Sequence, residues 1–464
     1  MTALLWYRRD LRLRDHPALL AALASGPDVL PVFVIDPPLV RTGAARTARL
    51  YASLAALHES TDGALVVRTG DPAKIIPALA AEVGAGEVHV TRETTPYGRR
   101  RDRRVAAHLA ESGCRFAPTG TPYAVGPGLV LTGAGTAYQV FTPYEQAWRE
   151  HGWPAPAGDP TEVGWRHGVD GEALPEPGDT HGLHGFAAGE DAASTRWHAF
   201  LDEDLTGYAT ERDRPDLDTT SRMSIHLKYG EIHPRTMLAD LATHHAAHPA
   251  ATSEDARRYV TELCWREFYA DVLWHRPESA WQDLRGELSS MPYDGGPHDA
   301  PEHDELAEAW RAGRTGFPMV DAGMRQLLAE GWMHNRLRML TASFFVKDLH
   351  RWWPEGARHF LTHLLDGDIA SNNHGWQWVA GTGASASPYF RVFNPMTQAT
   401  RFDPDGDYVR RWVPELAHLP GPAVHEPWRH PEGYARGYPP RIVDHADERR
   451  ESLGRYHRAR GGRR

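Results

Sequence analysis

Asn335, Arg338, Asp366, Asp368 and Asn372 sit among tryptophans in a stretch reaching from Gly316 to Trp378, which contains GWMHNRLRM and then LLDGDIASNNHGWQW. Flat aromatic surfaces mixed with guanidinium, carboxylate and carboxamide groups suit a pocket that holds a ring system and stacks splayed nucleobases. The plainer reading is a tryptophan-rich helical core. On a helix from Met333 to Trp352, Asn335, Arg338 and Met339 fall at i, i+3 and i+4 and share a face, while Arg336 points elsewhere. A buried Asn and Arg on such a face are costly unless paired. A structural bridge from Arg338 to a carboxylate such as Asp366 and a direct role in a site weigh about evenly, and both can hold.

Two further segments carry similar ambiguity. ELCWREFY, Glu262 to Tyr269, places Glu262, Arg266 and Tyr269 near one helical face with Trp265 adjacent, either a site or a core face with a peripheral bridge. TTSRMS, Thr219 to Ser224, offers hydroxyls and an arginine before a helix-like segment, which holds phosphates as readily as it caps a helix. Metal chemistry is disfavoured. The DGDIASNNHGWQ segment starts like a calcium loop but lacks glycine at its sixth position and a carboxylate at its twelfth. His244 and His248, four apart on a polar helix, read as solvated, and Cys114 and Cys264 form neither a disulfide framework nor a zinc motif.

These groups must be positioned by a chain of 464 residues, which is too long for one core. Short apolar runs at Ala3 to Tyr7, Val29 to Ile35, Ala64 to Val67 and Val88 to Val90 alternate with helical patterns, so residues 1–130 read as a parallel, doubly wound α/β domain. The turn after the first run, YRRDLRLRDHP, has no glycine cradle for a pyrophosphate, which disfavours a nicotinamide dinucleotide domain. Residues 131–190, rich in Gly, Pro and acidic side chains towards their end, form an interdomain linker. Residues 191–464 read as all-α, with helical patterns such as Ala192 to Leu205, Glu254 to Trp274 and Val320 to Glu330. They hold 12 of the 16 tryptophans.

The formal charge of -10 argues against polyanion binding over the whole surface but leaves room for local basic strips. Arg8, Arg9, Arg12 and Arg14, the arginines from Arg99 to Arg104, and the tail ERRESLGRYHRARGGRR are such strips; solvation is the default reading, and disorder that of the tail. No leader-like or membrane-length apolar run occurs, so a cytoplasmic protein without membrane contact is expected.

In order along the chain, WYRRDLRLRDHPAL, YATERDRPDLDTTSRMS, ELCWREFY, TGFPMVDAGMRQL, GWMHNRLRM, DGDIASNNHGWQW and PYFRVFNP resemble the DNA photolyase and cryptochrome family, most of all its class I cyclobutane pyrimidine dimer photolyases. The resemblance implies an α/β antenna domain, a long linker and a helical domain holding FAD. It implies flavin contacts at Tyr208, Thr220, Ser221, Arg222, Met223, Ser224, Arg266, Arg338, Asp366, Gly367, Asp368 and Asn372. It sets the damaged dinucleotide against Glu262, Trp265, Tyr269, Asn335, Met339 and Trp378, with Arg212, Arg336, Arg391 and Gln398 on the DNA backbone. The implied activity is light-driven repair of cyclobutane pyrimidine dimers by electron transfer from excited reduced FAD to a flipped-out lesion. Glu262, Asn335 and Asn372 are its catalytic candidates, and UV-damaged DNA is the partner of a monomer with no obligate protein partner.

Within that family, carboxamide Asn372 beside the flavin favours repair over blue-light signalling, the alternative reading. The absence of histidine at positions 335 and 339 favours cyclobutane dimers over (6-4) photoproducts. Trp376 and Trp353 match two relay tryptophans, but the third, outer position falls near Ala300, where there is none; Trp352 or Tyr293 are the stand-ins. The segment Thr94 to Val105 resembles members that bind 8-hydroxy-5-deazaflavin, which is favoured over 5,10-methenyltetrahydrofolate as antenna.

Overall fold

The computed structural model describes residues 2–41, 43–176, 185–288, 290–294, 304–384 and 390–461. The chain divides into two compact units, Met1–Tyr138 with Thr142–Gly207 and Ser221–Pro277, and Gln139–Phe141 with Tyr208–Thr220 and Glu278–Arg464.

In the first unit, β1 (Ala3–Tyr7), β2 (Val29–Ile35), β3 (Val66–Thr69), β4 (Glu87–Val90) and β5 (Arg115–Pro118) form one parallel sheet in the order β3-β2-β1-β4-β5. β1 and β2 are buried along their whole length, as a parallel sheet covered by helices requires, and this is why they read as continuous apolar runs. Leu4, Trp6, Val32 and Val88 of the sheet pack with Ile76 and Leu79 of the Pro72–Glu82 helix and Val105 and Leu109 of the Pro96–Glu111 helix. β5 escapes the sequence reading because its four residues include a charge and a proline and it lies at the sheet edge. Part of the Gly- and Pro-rich connection is bonded to the sheet. Arg166 N donates to Val29 O at 2.9 Å and Glu172 N to Val67 O at 2.8 Å, so it runs against the open side of β2 and β3.

The arginine strips are solvated only in part, with Arg12 and Arg101 buried. Arg8 holds Asp102 at 2.7 Å, with Arg101 on the same carboxylate, and both guanidiniums lie over the Trp6 ring. Arg100, Arg103 and Arg104 are exposed, so the tract splits by helical face.

The second unit is helical. Its core gathers Trp310, Phe317, Leu327, Phe345, Trp353, Phe360 and Trp376. The long helix expected over Met333 to Trp352 is shorter: it runs Asn335–Ser343, widens into a π turn at Phe344–Asp348, and breaks where His350 adopts φ +53°. Pro354 has no N–H to lose in the first turn of the next helix, Trp353–His363, so the chain resets there. The basic tail, read as disordered, is a helix at His445–Gly461, joined to the rest by His445 to Asp348 at 2.5 Å and His350 to Glu448 at 2.7 Å. The missing outer tryptophan position, Ala300, lies outside the described residues.

Candidate functional site

In the second unit, Arg338 makes the structural bridge to Asp366 that was one of the two alternatives weighed for it. Its Nη1 and Nη2 donate to the two oxygens of Asp366 at 3.1 and 2.8 Å, and its Nε to Met333 O at 2.7 Å. The carboxylate is 2% exposed and the guanidinium 26%, so the pair is anchored inside and open at its outer edge. Two residues on, the Asp368 side chain accepts from Ala370 N at 3.0 Å and Ser371 N at 3.1 Å, capping the Ile369–Ala380 helix. The carboxylates that suggest a calcium loop are therefore already spent on a guanidinium and a helix start. Gly367 lies between them and is buried.

That helix presents Asn372 and Trp376 at i and i+4, with Trp378 partly buried beside the core. Asn372 Nδ2 donates to Ala357 O at 3.1 Å and to Asn373 Oδ1 at 2.9 Å, and its side-chain oxygen accepts from no described residue. On the opposite side, Asn373 donates to Ala280 O, His374 meets Ser279 at 2.9 Å, and Gln377 donates to Ser279 O at 2.7 Å. Burial pushes His374 down to about 4, so it is neutral and structural. These three were not singled out in the sequence, although Asn373 and Gln377 at i and i+4, with His374 three before Gln377, signal a helix face bonded to its neighbour.

Asn335, exposed at the start of its helix, lies 3.9 Å from Met339 Sδ through its amide nitrogen, as the i, i+4 spacing predicts. Arg336 diverges: it reaches Asp213 at 2.5 Å and lies over the Phe402 ring at 4.3 Å. Its expected place on a DNA backbone thus competes with an internal ion pair whose partner, Asp213, was not foreseen. Tyr208 is buried and its ring carries the Arg212 guanidinium at 6.0 Å. The Thr219 hydroxyl is buried with no partner among the described residues. Arg391 is exposed and Gln398 half-buried.

The Pro249–His275 helix belongs to the first unit. Glu262 is 28% exposed with Arg258 at 3.6 Å, and Trp265 packs against Tyr269 at 5.4 Å between ring centres. Burial raises the Tyr269 phenol, with the Glu262 charge adding to it, so it stays neutral. Arg266 donates to Pro122 O at 3.0 Å and Leu227 O at 3.3 Å and covers the Tyr123 ring at 4.4 Å. Two of its five N–H groups serve the fold. Its neighbour Glu267, overlooked in the sequence, is fully buried and accepts from the N–H groups of Ala124, Val125 and Gly126 and from Trp148 Nε1. Burial still raises its carboxyl despite those bonds. Ser221, of the hydroxyl-rich stretch, shares a bond with the Tyr259 hydroxyl at 2.7 Å, and Arg222 adopts φ +54°. Met223 is buried and Ser224 is exposed at the start of the Ser224–Tyr229 helix.

An unspent amide oxygen on Asn372 and a buried, unpaired hydroxyl on Thr219 are an acceptor and a donor waiting for a polar ligand, which a flavin with its ring N–H and phosphates fits. Among the described residues no cluster of three metal-ligating side chains occurs, and no helix is long and apolar enough to cross a membrane.

Two family models match the chain: "DNA photolyase" over residues 3–161 and "FAD binding domain of DNA photolyase" over residues 259–458. The deoxyribodipyrimidine photo-lyase of Streptomyces griseus is 40% identical over 472 residues, covering 99% of each chain. The crystal structure of a class III photolyase from Agrobacterium tumefaciens superposes with a TM-score of 0.91 at 35% identity, covering 99% of this chain and 98% of that one. The cryptochrome of Synechocystis sp. PCC6803 follows at 0.89 and 27% identity, covering 98% of each.

Proposed function

The chain belongs to the DNA photolyase family, and from that premise we propose that it is a deoxyribodipyrimidine photo-lyase. It reverses cyclobutane pyrimidine dimers in UV-damaged DNA under light, with FAD as cofactor. The observation that carries the repair reading is Asn372, whose amide nitrogen is doubly spent and whose oxygen is left over. A carboxamide there accepts a hydrogen bond from the flavin ring without being able to release a proton. Bound FAD supplies the light-driven electron.

The remaining roles belong to the chain. Arg338, held by Asp366, is proposed to face the flavin with its open edge, and Asp368, Gly367 and the Tyr208 and Thr220 to Ser224 segments to line its ring and phosphates. Arg266 is proposed to act mainly by fixing backbone around the cofactor, given its carbonyl partners. The flipped-out lesion stacks on Trp265 and Trp378, while Glu262 and Asn335 hydrogen-bond its pyrimidine edges and Met339 and Tyr269 exclude water. Arg212, Arg391 and Gln398 take DNA phosphates, and Arg336 does so only by exchanging Asp213 for them.

Trp376 and Trp353 are the proposed inner relay through which FAD is reduced. For the antenna we keep 8-hydroxy-5-deazaflavin ahead of 5,10-methenyltetrahydrofolate, and a monomer in the cytoplasm as the working form. The division 1–130, 131–190 and 191–464 is proposed as the functional layout: antenna domain, linker and FAD domain.

An absorption spectrum of the purified protein and a light-dependent assay on thymine-dimer and (6-4) oligonucleotides test the proposal together. Bound flavin with reversal of thymine dimers is expected. Flavin without reversal of either lesion would replace repair with light sensing, and reversal of (6-4) lesions alone would overturn the argument from Asn335 and Met339.

A further inference from the structure

The inner relay tryptophan is hydrogen-bonded to a carboxylate that has no other evident duty. Trp353 is fully buried at the start of its helix, and its indole Nε1 donates to Asp283 Oδ1 at 2.7 Å. No described Arg, Lys or His forms an ion pair within 4.0 Å with Asp283, which is half-buried. Burial raises its carboxyl, with the bond from Trp353 pulling the other way.

Trp376 lies against the same helix one turn further on. A Cβ added at Gly356 would come within 2.2 Å of the Trp376 ring, and Phe360 approaches it at 5.0 Å between ring centres. Gly356 is three residues beyond Trp353, so both indoles lie along one helix face.

The outer candidates look poorly suited to hold a positive charge. Arg358 lies 4.7 Å from the Trp281 ring and 6.0 Å from Trp352, so oxidising either ring would set two positive charges side by side. Tyr293 has a buried hydroxyl with no acceptor among the described residues, and a tyrosine must give up its proton when oxidised.

We propose that Asp283 is the proton acceptor of the relay, so that the oxidised chain comes to rest on Trp353 as a neutral indolyl radical rather than on an outer tryptophan. This rests on the relay reading of Trp376 and Trp353. When Trp376 loses an electron to the photoexcited cofactor, Trp353 refills it. The N–H bond of Trp353 then breaks, its proton moves to the Asp283 carboxylate, and the indole is left neutral. An external one-electron donor of the thiol class returns the electron, and the proton returns from Asp283 to the indole nitrogen. Proton transfer makes back-transfer slower because the electron can no longer fall into a cation.

Transient absorption and electron paramagnetic resonance on the flavin-loaded protein, with Asp283→Asn, test this. The wild type should show a neutral tryptophan radical, and the variant a cation radical whose lifetime is at least tenfold shorter. A neutral radical persisting unchanged in Asp283→Asn would overturn the proposal, as would loss of the wild-type signal in Trp352→Phe. In flavin-free protein labelled with ¹⁵N-tryptophan, the Asp283→Asn change should shift the indole resonance that disappears in Trp353→Phe. No shift would remove the hydrogen bond on which the proposal stands. Trp376→Phe separates the premises: if radicals form normally without Trp376, the relay reading itself fails.

Discussion

Three arginine–carboxylate pairs in this protein look alike on paper and differ in what surrounds them. Arg49 and Glu231 in the first unit meet at 2.7 Å with both side chains 0% exposed, and Glu231 also accepts from His226 at 2.6 Å and Gly189 N at 2.9 Å. Arg338 and Asp366 in the second unit meet at 2.8 Å, but the arginine is 26% exposed. Arg115 and Glu87 at the sheet edge are 63% and 28% exposed. The first pair is closed, the second has an open side and the third is wet. Only an open side leaves a guanidinium both oriented and able to take a ligand, so openness rather than pairing marks the candidate site.

The largest effect should come from breaking the closed pair. Arg49→Ala leaves the buried Glu231 carboxylate without its guanidinium, with only His226 and Gly189 N left to it, and should lower unfolding free energy by about 3–5 kcal/mol, measured by urea denaturation. A loss under about 1 kcal/mol would mean the pair is replaceable and the contrast is false. Its pH dependence sharpens the point. Burial pushes Glu231 up, yet the hydrogen bond from His226 and the charge of Arg49 prevail and hold it at about 2. A carboxyl depressed in the folded state gives stability that is present above its unfolded value near about 4.3 and is lost as pH falls towards its folded value. Wild-type stability should therefore fall between about pH 4.3 and 2 more steeply than that of Glu231→Gln. Parallel curves would rule out Glu231 as the group responsible.

Arg338→Ala should cost less stability, about 1–2 kcal/mol after allowing for its exposure, because water reaches the gap. Its main effect should be on cofactor retention, with flavin affinity falling at least about tenfold, a 1.4 kcal/mol change. Equal flavin content in variant and wild type would return Arg338–Asp366 to a purely structural role. Trp265→Ala is the matching test on the first unit: lesion affinity should drop by about 1–3 kcal/mol in a salt-controlled binding assay. Unchanged affinity would remove its stacking role.

The sequence made some of this legible and hid the rest for identifiable reasons. Continuous apolar runs announced β1 and β2, since a strand buried on both faces must be apolar throughout. The i, i+3, i+4 spacing correctly set Asn335 and Met339 together and Arg336 apart. What it did not reveal is who holds whom over long separations. Asp213 on Arg336, Pro122 and Leu227 on Arg266, and Asp283 on Trp353 are bonds across 123, 144, 39 and 70 residues, and nothing local encodes them. The ordered tail escaped notice because its composition is that of a solvated chain, and its attachment through Asp348 and Glu448 is again remote.

The wet pair gives the smallest effect and the strictest check on the comparison. Arg115 and Glu87 are cross-strand neighbours on β5 and β4, paired through Nε and Nη2 on one guanidinium edge, so a count of bonds ranks them beside Arg338–Asp366. Solvent argues otherwise. At 63% exposure the guanidinium loses little by returning to water, and its attraction to Glu87 is screened. Arg115→Ala should change unfolding free energy by no more than about 1 kcal/mol, with flavin content unaltered. A loss as large as that of Arg49→Ala would show that bidentate geometry, not enclosure, sets the strength of these pairs. The open edge of Arg338 would then lose its standing as the mark of a site.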